Sequence, residues 1–155
     1  MHFRLLGFPI SLHYSWLVAF CLLTWALSTA MFKDVLPGVP MRAHWAAGAV
    51  ATLFILASVL FHEIAHVVLG HTAESLQTDS ERTPRNLREA EAESVALLCC
   101  AALELPGIEY SRGYIQAWWG QGNPIPEKSA QRILKVADQI LRAGREQSAG
   151  DEGVA

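Results

Sequence analysis

Charge is scarce at the front of this chain. Across the first seventy residues only Arg4, Lys33, Asp34, Arg42 and Glu63 carry it. A basic excess is missing altogether: 12 Lys and Arg against 15 Asp and Glu leave a net charge of −3. The basic patch that nucleic acid requires is therefore lacking, and no nucleic-acid partner is expected. Cysteine is limited to Cys21, Cys99 and Cys100. An odd count without metal-type spacing excludes a disulfide framework and suits a reducing compartment. Internal repeats are absent. A signal peptide is not expected, because the N-terminus is weakly basic, no small-residue cleavage site follows, and a second apolar run comes soon after the first.

Where charge is absent, apolar residues run on. Tyr14 to Phe32 and Ala43 to Phe61 hold no charged residue. At 1.5 Å per residue each is about long enough to cross a hydrocarbon core of roughly 30 Å. Trp16, Trp25 and Trp45 supply the aromatics expected near membrane interfaces. Between the runs, Lys33-Asp34 and Pro37-Gly38-Val39-Pro40 mark a turn, so the pair reads as a transmembrane helical hairpin. Core helices of a soluble protein are the competing reading. Two spans put both termini on one side. Positive charge is too sparse to orient them, but the long polar C-terminal segment and the reduced cysteines favour the cytoplasmic side of a cytoplasmic membrane.

His62-Glu63-Ile64-Ala65-His66 closes the second run and spells H-E-x-x-H. On a helix, residues four apart share a face, so His62 and His66 can aim two imidazoles at one Zn²⁺. Glu63 can act as general base toward a metal-activated water. The flanks Val59-Leu60-Phe61 and Val67-Val68-Leu69 are apolar. Ionisable groups in such a setting need a partner, and a metal is the simplest one.

Downstream, His71 to Thr83 is polar and reads as a loop. Thr83-Pro84 marks a helix start, with Thr as N-cap and Pro in the first position. On the helix that follows, Glu89, Ala92, Glu93, Ala96 and Cys100 fall on one face. Two carboxylates on a small, apolar stripe call for a cation, whereas Glu91 reads as a solvated position. A catalytic zinc keeps three protein ligands and one open position. Glu89 can complete a His₂Glu set, and Glu93, one turn on, can accept the N–H of a ligand imidazole; the reverse assignment stays open. His71 does not meet the longer H-E-x-x-H-x-x-G-x-x-H spacing. Tyr114 is a candidate for stabilising a developing oxyanion, or else a packed tyrosine with a satisfied hydroxyl. Asn123-Pro124-Ile125-Pro126-Glu127 reads as a turn and helix start. The last helix, about Pro126 to Ala143, repeats apolar residues at Ile133, Val136, Ala137, Ile140 and Leu141, a core-facing stripe. The tail from Gln147 is expected to be disordered.

Two resemblances meet at the motif. Residues 3 to 70 resemble the site-2 protease family of intramembrane metalloproteases, through Phe3-Arg4-Leu5-Leu6-Gly7-Phe8-Pro9-Ile10-Ser11-Leu12-His13, Trp16, and Val59-Leu60-Phe61-His62-Glu63-Ile64-Ala65-His66. That likeness implies cleavage of membrane-embedded substrates. The family's N-P-x-D-G motif on a later span, which supplies its third ligand, has no counterpart here. Residues 61 to 146 resemble the zincin domain of ArdC-like antirestriction proteins, related to ImmA/IrrE-type metallopeptidases. The carrying segments are Phe61 to Thr72, Glu81 to Glu89, Glu91-Ala92-Glu93-Ser94-Val95-Ala96 and Gly113 to Trp118. This second likeness implies a third ligand on the helix after the motif, in the register of Glu89 and Glu93. The single-stranded-DNA-binding domain usual in that group has no counterpart in these residues.

The sequence thus predicts an all-α protein: two N-terminal transmembrane helices followed by a small zincin-like helical domain. The expected divisions are a membrane hairpin over 1–61 with spans at 14–32 and 43–61, a metallopeptidase domain over 62–146, and the tail 147–155. The expected function is zinc-dependent hydrolysis of peptide bonds, with His62, His66 and Glu89 as ligands, Glu93 supporting a ligand, and Glu63 and Tyr114 catalytic. The partners are a protein or peptide substrate, membrane-embedded segments included, and the lipid bilayer. The alternatives are a non-catalytic, zinc-stabilised membrane or regulatory protein whose metal is closed by a fourth ligand such as His71, and a soluble ArdC-like peptidase.

Overall fold

In a computed structural model of the chain, the described residues are 2–5, 8–11, 13–71, 83–105, 108–120 and 122–151. They are overwhelmingly helical, as the sequence predicts. Two compact units divide between Ala57 and Ser58, inside one long helix.

The first unit opens with a feature not expected from sequence, an antiparallel pair of short strands. β1 (His2–Leu5) and β2 (Phe8–Ser11) align His2 with Ser11 and Leu5 with Phe8. Pro9 is tolerated because a two-stranded sheet consists of edges, where a missing N–H need not break a ladder. α1 (Ser15–Ala26) runs through a π-helical turn, Leu27–Met31, into the short α2 (Phe32–Val35). Gly38, at φ +84°, supplies the left-handed conformation of the turn to α3 (Met41–Val68). Ser15–Val35 and Met41–Val68 are each long and apolar enough to cross a membrane.

The hairpin is packed through small and hydroxylated residues. Thr24, Ser28 and Thr52 are buried, and the Thr24 hydroxyl meets that of Thr52 at 3.2 Å. Ser28 donates to the Thr24 carbonyl at 2.6 Å and Thr52 to the Gly48 carbonyl at 2.8 Å, both one turn back in their own helices. Gly48 lets the backbones close: a Cβ there would collide with the Ser28 hydroxyl and lie 3.0 Å from the Thr24 carbonyl oxygen. His44 Nε2 donates to the Leu36 carbonyl at 2.9 Å, tying the start of α3 to the end of α2. Outside this seam Leu17, Leu22, Trp25, Val50 and Leu53 are exposed. Polar groups inside and large apolar groups outside are the reverse of a soluble domain's pattern.

The second unit contains the end of α3, then α4 (Arg85–Ala102), α5 (Ile108–Trp119) and α6 (Glu127–Asp151). α4 packs against both α5 and α6. Its core joins Ile64, Ala65 and Leu69 of the α3 end to Leu87, Val95, Ala96 and Cys99 of α4, and to Ile133, Val136, Ala137 and Ile140 of α6. Four of the five residues in the expected α6 stripe are thus buried, and Leu141 is half-buried. α4 starts one residue later than expected: Pro84, in extended backbone, holds the N-cap position, and no side chain caps the helix. The expected tail begins within α6, which ends at Asp151; residues 152–155 lie outside the described residues, as do 72–82 of the expected loop.

Candidate metal centre

His62 and His66 leave α3 from one face, and their Nε2 atoms lie 3.0 Å apart. From α4, Glu89 brings Oε2 to 3.6 Å from His62 Nε2 and 3.4 Å from His66 Nε2. Ligands at the corners of a tetrahedron with metal–ligand bonds of about 2.0 Å stand about 3.3 Å from one another. The triangle of His62, His66 and Glu89 matches that edge length on all three sides. The three side chains are 20%, 19% and 21% exposed, so solvent reaches the group.

The outer nitrogens show what the inner ones can offer. His62 Nδ1 lies 3.1 Å from Glu93 Oε2. An ionised carboxylate only accepts, so Nδ1 donates, and in the neutral ring Nε2 keeps its lone pair. His66 Nδ1 lies 3.1 Å from His71 Nδ1, and His71 Nε2 lies 2.9 Å from Glu91 Oε2. With neutral imidazoles, His71 donates to Glu91 and accepts from His66, which again leaves Nε2 of His66 bare. Two bare nitrogens and a carboxylate oxygen then converge with no proton among them. Such an arrangement is electrostatically unfavourable without a cation and is the donor set of a His₂Glu zinc site.

Local chain geometry places His71. Gly70, at φ +75°, ends α3, and the His71 N–H returns to the His66 carbonyl at 2.8 Å. This is a glycine-terminated helix end that folds the following residue back over the last turn. Arg85 Nε lies 3.9 Å from the second Glu89 oxygen, and its guanidinium lies 5.8 Å from the centre of the Trp118 ring.

Glu91 requires a correction. Expected to be solvated, it is fully buried. Burial opposes its ionisation, but hydrogen bonding from His71 and Ser129 and the charge of Arg132 outweigh this and hold its carboxyl below the ordinary value. Two residues beyond Glu89 the helix has turned roughly 200°, which in an isolated helix would mean solvent. In α4 the far side is core as well. Glu91 and Arg132 were not recognisable from spacing. His71 carried a signal in the Gly70-His71 pair that terminates the helix.

Glu63 is exposed on the turn carrying the two histidines, near enough for its charge to act on both rings. Tyr114 is 63% exposed on α5, so it is not a packed core residue. Among the described residues the structure brings it into no hydrogen bond with the centre. Cys99 and Cys100 are buried core residues, and burial pushes the Cys99 thiol up to about 12.

Comparison with known proteins gives one likeness. Two Mycobacterium tuberculosis strains carry a protein described as "Putative zinc metalloprotease Rip3", 40% identical to this chain over 70 residues. The match covers 45% of this chain and 18% of that protein, so the chain spans less than a fifth of its relative's length. It supports the site-2 protease resemblance in part. The ArdC-like resemblance is not shown by these comparisons. No family model matches, and no solved structure matches.

Proposed function

We propose that this protein is a membrane-anchored, zinc-dependent metallopeptidase. The observation that carries the proposal is the convergence of His62, His66 and Glu89 at 3.0, 3.4 and 3.6 Å, with both outer imidazole nitrogens engaged elsewhere. The partial likeness to a zinc metalloprotease points the same way. Zinc bound there would supply a Lewis acid that polarises a carbonyl and eases deprotonation of water. His62, His66 and Glu89 hold the ion, Glu93 orients His62, and Glu63 takes the proton from water. Tyr114 is given no step, because among the described residues no hydrogen bond ties its hydroxyl to the centre.

The inverted polarity of the hairpin supports membrane anchoring, with α1–α2 and α3 as spans. A protein or peptide substrate, membrane-embedded segments included, and a cytoplasmic C-terminal unit complete the reading. A closed, purely structural zinc site is disfavoured because both nitrogens of His71 are already engaged, one by His66 and one by Glu91. Elemental analysis of the purified full chain should find one zinc per chain, lost in Glu89→Ala. Cobalt substitution should give a spectrum that shifts when a small anion such as azide is added. Absence of stoichiometric metal would refute the proposal, and a cobalt spectrum indifferent to anions would leave the structural-zinc alternative standing.

A further inference from the structure

We propose that His71 and Glu91, held by Arg132, form a positioning chain that fixes the tautomer of His66 and thereby sets how tightly the centre holds zinc. The proposal rests on the metal reading above and concerns residues that hold no metal themselves.

The two histidine ligands are supported unequally. His62 meets a carboxylate directly, at 3.1 Å. His66 meets a second imidazole, and only beyond it, 2.9 Å further, a carboxylate. If nothing accepted its Nδ1 proton, His66 would be free to carry that proton on Nε2, the atom turned toward the ligand point, and could not bind a cation there. His71 removes that option by offering a bare Nδ1. It can do so only while its own proton stays on Nε2, which the buried carboxylate of Glu91 ensures. Hydrogen bonds that fix the outer nitrogen of a ligand histidine commonly change metal affinity by about 10–100-fold.

The far end of the chain is anchored twice. Arg132 Nη2 donates to the Leu69 carbonyl at 2.6 Å, and Nη1 lies 3.9 Å from Glu91 Oε2. One α6 side chain thus reaches both the end of α3 and the carboxylate behind His71. The Gly70 turn returns the backbone of His71 to His66. Backbone, ring and carboxylate positions are therefore set together, as ligand orientation requires.

The test uses the full chain in detergent micelles with two readouts. Zinc affinity is measured by chelator competition, and histidine tautomers are read in the metal-free protein from ¹⁵N chemical shifts. His71→Phe should weaken zinc binding by about 10–100-fold and move the His66 proton to Nε2, with the His62 tautomer unchanged as an internal control for folding. His71→Asn, whose carbonyl can accept from His66 Nδ1, should recover most of the affinity and keep the Nδ1 proton. Wild-type affinity in His71→Phe overturns the proposal while leaving the metal centre intact. So does a folded His71→Asn that binds as weakly as His71→Phe. If His71→Phe loses the His62 signature through misfolding, His71→Asn alone decides by the same two measurements. A wild-type chain that binds no zinc overturns the metal reading and this proposal with it.

Discussion

Glu63 differs from the histidines beside it in being exposed. Exposed on the helix turn that carries two nearly fixed imidazoles, it can meet a water without disturbing them. Glu63→Gln removes the proposed base and keeps the shape. It should lower peptide hydrolysis by about 10²–10⁴-fold with the zinc content unchanged, as read by elemental analysis beside a turnover assay. Cys99 gives a prediction independent of catalysis. With its thiol pushed up to about 12, nearly all of it stays protonated at pH 8. Alkylation by iodoacetamide should be about a thousand-fold slower in the folded protein than in denaturant, where an ordinary thiol near 8.5 is partly thiolate. Peptide mapping of the labelled chain reads this directly. At this scale the sequence was legible where helical spacing alone brings groups together, as with His62 and His66 or Glu89 and Glu93. It was not legible for Glu91, whose burial depends on what lies behind α4.

Helix ends and close approaches carry the next set of consequences. α4 ends much as α3 does, with the Leu105 N–H returning to the Cys100 carbonyl at 2.9 Å, but the left-handed position is Glu104, at φ +54°. A residue with a Cβ pays about 1 kcal/mol or more there. Glu104→Gly should therefore stabilise the chain by about 1 kcal/mol, measured as a raised denaturation midpoint. Gly48 predicts the opposite sign. A methyl group there meets the Ser28 hydroxyl and the Thr24 backbone, so Gly48→Ala should destabilise the hairpin by about 1–3 kcal/mol, seen as a lower melting temperature in detergent. Long helices were readable because apolar runs and the Thr83-Pro84 punctuation mark them. The strands His2–Leu5 and Phe8–Ser11 were not, since four-residue segments carry too few alternations to outweigh the apolar run that follows.

For the molecule as a whole, the decisive contrast is between its two units. The second buries apolar residues from three helices, as soluble domains do. The first buries hydroxyls and exposes leucine, valine and tryptophan. The intact chain should sediment with membranes and stay there through an alkaline carbonate wash; recovery in a detergent-free soluble fraction would contradict the anchoring proposed here. Composition alone pointed to this division, because charge is confined almost wholly to the second half. The compact units divide at Ala57 and Ser58, within the same helix that holds the expected division after Phe61, since a helix has no reason to stop where a function changes.

The hydroxyls of the hairpin seam bear on how such a chain is made. Ser28 and Thr52 each donate to a carbonyl one turn back in the same helix. Each of these protons is thus satisfied before the two helices touch. Thr24 differs, since it donates across the seam to Thr52, so the pairing of the two helices completes this set of hydrogen bonds and the close approach at Gly48 can follow. Assembly can follow synthesis in order, since the histidine-bearing end of α3 is made after both segments of the seam.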